Sequence, residues 1–154
     1  MRHLVVSTLV VVVAAGFNLG CSKQPQFLFS APAGFEWHKE QRLWYHKELR
    51  TSISPAHGPG ASFQSVVDDF QKEKMLTAGM ELLSKEVRDV EGRPKLILHA
   101  NRLNGKFPQQ VCTIAFGTPT GCAQITAIYP TALGAAKKSE LEAALLTSRY
   151  GVPD

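Results

Sequence analysis

From Phe27 onward the apolar positions alternate, then fall at helical spacing, then alternate again and close on a second helical stretch. Phe27-Leu28-Phe29 predicts a first strand, Ala31-Pro32-Ala33-Gly34 a turn, and residues 35–37 a second strand. Residues 43–46 and 49–54 read as further strands ending at Pro55, and Ala56-His57-Gly58-Pro59-Gly60 reads as a loop. Trp37 and Trp44 lie seven apart, so a charged helix over residues 35–50 is the alternative, but the poor helix formers Thr51-Ser52-Ile53-Ser54 favour strands.

Phe63, Val66, Val67 and Phe70 then share one helical face. Ser62 is the predicted N-cap, Asp68 and Asp69 face solvent, and Gly79 is the stop. Residues 80–90 return to strand, turning at Glu91-Gly92-Arg93 into residues 95–100 and again at Asn104-Gly105-Lys106. Residues 110–116 and 122–129 form a hairpin around Gly117-Thr118-Pro119-Thr120-Gly121. Ser139-Glu140-Leu141-Glu142 has capping-box spacing, Leu141, Ala144 and Leu145 give the second helix its core face, and Tyr150-Gly151 closes it. Strands joined by tight turns imply an antiparallel sheet, so the expected class is α+β, with the helices packed on the sheet.

Upstream the pattern is different. Met1-Arg2-His3 precedes an apolar run over residues 4–17 that ends at Asn18-Leu19-Gly20-Cys21. A spanning helix needs about 20 apolar residues, so this run is too short and has the length of a signal-peptide core. The arrangement resembles a bacterial lipoprotein signal, with Cys21 as the lipid-bearing first residue once residues 1–20 are removed. Leu19 and Gly20 fit that box, whereas Asn18 stands where Leu is usual; ordinary secretion, an uncleaved anchor and a buried apolar element are the alternatives. More than one acyl chain gives stable anchoring where a single chain binds marginally. Ser22, in place of the Asp that marks inner-membrane retention, favours the outer membrane in a host that has one. The expected organisation is a signal peptide (1–20), a lipid-attached tether (21–26) reaching about 17 Å, and one domain (27–154). The expected location is the cell envelope, facing the periplasm.

Residues 21–154 suffice for one domain with its own core. The net charge of +4, one lower without Arg2, is too mild to argue for nucleic acid. In an oxidising compartment a disulfide between Cys112 and Cys122 is the default expectation. Geometry counts against it: a hairpin centred on Pro119 sets Cys112 opposite Thr126 and Cys122 opposite Phe116. That offsets the cysteines by about four residues, or roughly 13 Å, where a disulfide needs Cα atoms within about 7 Å. A bridge would need a long loop with Ile114 and Phe116 at its tip, or pairing between chains.

The order of elements, with Phe29-Ser30-Ala31-Pro32-Ala33-Gly34-Phe35 near the start, Val90-Glu91-Gly92-Arg93-Pro94 after the first helix and Ala127-Ile128-Tyr129-Pro130 before the last, resembles the PsbP-like family over residues 27–150. That family takes in the extrinsic subunit of the photosystem II oxygen-evolving complex, a Ran-binding nuclear import factor and DcrB-type bacterial lipoproteins, the last being the most similar in type. The resemblance implies an antiparallel sheet sandwiched between helices, and a role as an accessory or binding module. No partner motif matches residue by residue.

His38, His46, His57 and His99 lack metal-ligand spacing, and His99, in an apolar strand, reads as a satisfied or edge-facing histidine. There is no Gly-x-Ser-x-Gly elbow, phosphate-binding glycine loop or Cys-x-x-Cys, so no enzyme activity, cofactor or metal is expected. The strongest candidate is the aromatic, basic segment 35–50, with Trp37, Arg42, Trp44, Tyr45 and Arg50 as a partner surface. Contact with a lipid–water boundary suits the same residues, and a strand pair with one packed and one solvated face explains them without either. The expected function is a non-enzymatic, lipid-anchored envelope module binding another envelope protein. The alternative is a small-molecule- or metal-binding domain, or a cryptic enzyme, with its site between sheet and helices.

Overall fold

The computed structural model describes residues 26–151, so the leader, Cys21 and most of the tether lie outside the described residues. In chain order the elements are β1 (Gln26–Leu28), β2 (Glu36–His38), β3 (Leu43–His46), β4 (Thr51–Pro59), α1 (Phe63–Asp69), α2 (Lys72–Thr77), β5 (Met80–Val90), β6 (Arg93–Arg102), β7 (Gln109–Thr118), β8 (Gly121–Pro130), α3 (Ala135–Leu146) and β9 (Arg149–Gly151). Seven strands form one sheet in the order β2-β3-β4-β8-β7-β6-β5, and β1 pairs separately with β9. Every pairing is antiparallel. The α+β class is therefore what the chain adopts, with helices on both faces of the sheet.

The central strands carry apolar residues at successive positions because both of their faces are covered. Toward α3, Ile97, Ile114 and Ile125 lie side by side across β6, β7 and β8 and pack with Leu141 and Leu145. Toward α1, Leu96, Ala115 and Cys122 lie under Phe63, Val66 and Val67, while Met75 of α2 covers Leu98 and Ala100.

The single helix expected over residues 62–79 is instead two, broken at Phe70 and Gln71. Ser62 does cap α1, accepting from the Ser65 N–H at 3.0 Å. Phe70 packs against the clusters under both helices, so its ring holds the break. Lys85 donates to the Val67 and Phe70 carbonyls at 2.6 and 3.0 Å, satisfying acceptors at the end of α1.

The stretch expected as a loop at residues 56–60 is mostly strand, since β4 pairs with β8 as far as Pro59. Two prolines are tolerated because β3 pairs β4 only over Thr51–Ile53. Beyond that point β4 is an edge whose missing N–H groups face outward.

α3 starts at Ala135 with Gly134 as its cap, four residues before the expected capping box, and Ser139 lies inside the helix. Nor do Tyr150 and Gly151 close a helix; they belong to β9. The turn between α3 and β9 is held by Lys95, which is only 6% exposed. Its Nζ donates to the carbonyls of Leu146 at 2.6 Å and Ser148 at 2.7 Å. A cation at this helix end satisfies terminal carbonyls and opposes the negative pole of the helix. Burial lowers the Lys95 pKa, and Glu91 partly restores it.

The β7–β8 hairpin turns at Pro119 and Thr120, with Gly117 opposite Cys122 and Thr118 opposite Gly121. This is one residue from the expected register, so Cys112 faces Ala127 and not Thr126. A one-residue slip moves a strand's side chains to the other face. Cys112 accordingly lies in the α3-side core and Cys122 in the α1-side core, both as free thiols. The disulfide considered for Cys112 and Cys122 is overturned: the sheet itself separates them.

Candidate functional site

The aromatic segment forms the sheet edge. All three residues of β2 are exposed, and Trp37 sits opposite Trp44 of β3 with ring centroids 4.5 Å apart. Trp44 also meets Phe29 edge-on at 5.1 Å, leaving Trp37 47% exposed at the end of a three-ring stack. Tyr45, the next residue along β3, points to the opposite sheet face and meets His38 edge-on at 6.0 Å. Arg42 lies between β2 and β3 and Arg50 between β3 and β4, at φ values of 54° and 49°. The structure thus unites Trp37 with Trp44, adds Phe29, and disperses Tyr45, Arg42 and Arg50 over the other face and the two ends of the hairpin.

A second site lies between α3 and the sheet, the place of the alternative reading, though the sequence assigned no residues to it. A hollow of about 290 Å³ there is lined by His99, Gln110, Tyr129, Lys138 and Glu142 among others. His99 on β6 and Cys112 on β7 are cross-strand partners and share the face covered by α3. Glu142 follows buried Leu141 on α3, which turns its carboxylate toward them, and the His99 Nε2–Glu142 Oε2 distance is 3.1 Å. One ligand atom from each of His99, Cys112 and Glu142 lies within 4.8 Å of the others. Arg88 approaches the second Glu142 oxygen at 3.9 Å but also contacts Glu86. Lys138 is held by the Gln110 side chain and the Thr131 carbonyl, both at 2.9 Å.

This pocket suppresses ionisation. Cys112 is 1% exposed, and burial, aided by the Glu142 charge, pushes its thiol from 9.0 to about 12. Burial, with Cys112 and Glu142 adding to it, pushes the Tyr129 phenol from 10.0 to about 12. Both groups keep their protons when folded at pH values where the unfolded chain has lost them. Their stabilisation is therefore full below about pH 9 and declines as pH rises toward 12. Each proton contributes a slope of about 1.4 kcal/mol per pH unit. Burial raises the Cys122 thiol as well, on the other face of the sheet. Lys95, with its lowered pKa, acts in the opposite sense below 10.5, so three groups act against one. Urea midpoints between about pH 8 and about pH 11 should fall, and Cys112→Ala should flatten that fall by up to one proton's slope. An identical fall in the variant would refute the assignment to Cys112.

On the other face a hollow of about 490 Å³ between α2 and the sheet is lined by Phe70, Met75, Leu98, Thr113, Gln124 and Thr126 with their neighbours. Thr113 and Thr126 bond to each other at 3.0 Å, so that floor is already satisfied.

No family model matches the chain, and no curated protein matches it. Among solved structures it is similar to the solution structure of cyanobacterial PsbP (CyanoP) from Synechocystis sp. PCC 6803. The TM-score is 0.56 at 14% identity, covering 92% of this chain and 99% of that one. The fold is PsbP-like.

Proposed function

We propose that the chain is a non-enzymatic, lipid-anchored module of the cell envelope, of the DcrB-like type, that binds another envelope protein through its β2 edge. The observation that carries this reading is Trp37, a large ring left half in solvent on an edge strand that, among the described residues, pairs only with β3, and backed by Trp44 and Phe29. An edge strand presents free N–H and C=O groups, and a partner strand added there would gain main-chain bonds while covering the indole. Buried tryptophans are the side chains that dominate such interfaces. The leader ending at Cys21 supports attachment to the membrane.

The experiment is capture of partners from envelope membranes by the full chain, with Trp37→Ala beside it. Trp37→Ala is expected to leave the melting temperature nearly unchanged and weaken retention of a specific partner by about 30-fold, the equivalent of ~2 kcal/mol. Retention equal to wild type would remove the edge from consideration. In the same cells Cys21→Ala should abolish labelling by an alkyne fatty acid; labelling that persists would exclude Cys21 as the acceptor.

A further inference from the structure

We propose that His99, Cys112 and Glu142 form a binding site for one borderline-soft divalent ion of the zinc class, held between α3 and the sheet, with its remaining coordination position open to the adjoining hollow. The inference stands apart from the β2 edge and does not depend on it.

The donor set selects the ion. One imidazole nitrogen, one sulfur and one carboxylate oxygen suit zinc or cobalt, whereas calcium and magnesium need shells made mainly of oxygen. In tetrahedral geometry, ligand bonds of about 2.0–2.3 Å put donor atoms roughly 3.4–3.7 Å apart. The donors here lie within 4.8 Å of one another, and the His99–Glu142 edge is already 3.1 Å. Closing the site therefore requires side-chain adjustment of about 1 Å, with the backbone fixed by the His99–Cys112 ladder pairing.

Charge also balances. Binding replaces the Cys112 thiol proton, which leaves to solvent, so thiolate and carboxylate together offset the two positive charges of the ion and neutral His99 completes the set. The neighbouring cations do not block it. Arg88 is half exposed and has Glu86 as a second partner, and Lys138 is engaged by Gln110 and Thr131. Cys112 alone would be inaccessible, but the hollow lined by His99, Tyr129 and Glu142 gives an ion its entry route.

The test is titration of the full chain, purified metal-free in detergent, with cobalt(II). The expected result is one ion per chain, a thiolate-to-cobalt charge-transfer band in the near ultraviolet, and loss of that band when zinc is added. Cys112→Ser and Cys112→Ala should both lack the band, while Cys122→Ser keeps it. Glu142→Gln should weaken binding by more than the ~10–100-fold lost on removing a supporting partner of a metal ligand. Circular dichroism checks that each variant is folded; should both Cys112 variants fail to fold, the wild-type band and the Glu142→Gln affinity decide. No band at saturating cobalt, a band that survives in a Cys112 variant, or affinity unchanged in Glu142→Gln would overturn the proposal.

Discussion

Ile114→Ala is expected to lower the free energy of unfolding by about 3–4 kcal/mol, within the range for emptying a rigid core site. Ile114 is 0% exposed, flanked across the ladder by Ile97 and Ile125, and lies in the cluster containing Leu141 and Leu145. About three methylene equivalents are removed, worth ~0.8 kcal/mol each in transfer alone. The remainder comes from the cavity, because strands β6, β7 and β8 are hydrogen-bonded along ten-residue lengths and cannot close in. Urea denaturation should show a shifted midpoint at unchanged slope. Val87→Ala is the control: this residue of β5 is 52% exposed, and its loss should cost less than about 0.5 kcal/mol. A loss for Ile114→Ala no larger than for Val87→Ala would mean that the sheet is not clamped as described.

The second large effect belongs to Lys95. Lys95→Met keeps an unbranched stem beneath α3 but removes both bonds to the Leu146 and Ser148 carbonyls. Charge-assisted bonds contribute about 1.5–3 kcal/mol, and buried carbonyls left without donors add to the cost. Against this stands relief from burying an ammonium, the effect that lowers its pKa. Two short bonds should outweigh it, for a net loss of about 2–3 kcal/mol. The loss should also be local. Lys95 holds the turn that aims β9 at β1, so amides of Gln26–Leu28 and Arg149–Gly151 should exchange faster while those of β7 change least. A more stable variant with unaltered exchange would show that the lysine is a tolerated buried charge and no latch.

How far these features were legible in the chain depended on the range of the force that sets them. The strands β5 to β8 could be read because short runs bounded by turn residues are a local signal, and Leu141 and Leu145 of α3 because helical spacing is another, whereas helices on both faces of the sheet were implied by the family resemblance alone. The break at Phe70 could not, since it is imposed by what the ring packs against. The β4 extension was hidden by Pro55 and Pro59, which are tolerated only because β3 stops short. The register of the β7–β8 hairpin was missed by one residue, and that sufficed to misplace the two cysteines relative to each other. His99, Cys112 and Glu142 come from three separate elements; nothing in their spacing signals convergence before the path of α3 over the sheet is known.

The small β1–β9 ladder has a mechanical consequence. Its backbone holds through three pairs, Gln26–Gly151, Phe27–Tyr150 and Leu28–Arg149, and β1 adds no strand to the seven-stranded sheet, meeting it through Phe27, which stacks on Phe116 of β7. Tension on the chain ahead of Gln26 would load these pairs in sequence and peel β1 away, exposing Phe27 and Phe29 but leaving β2 and the rest of the sheet closed. Residues 26–35 would then run out as slack of roughly 33 Å at ~3.3 Å per residue. A domain tethered at that end would gain reach under load while its main sheet stayed folded.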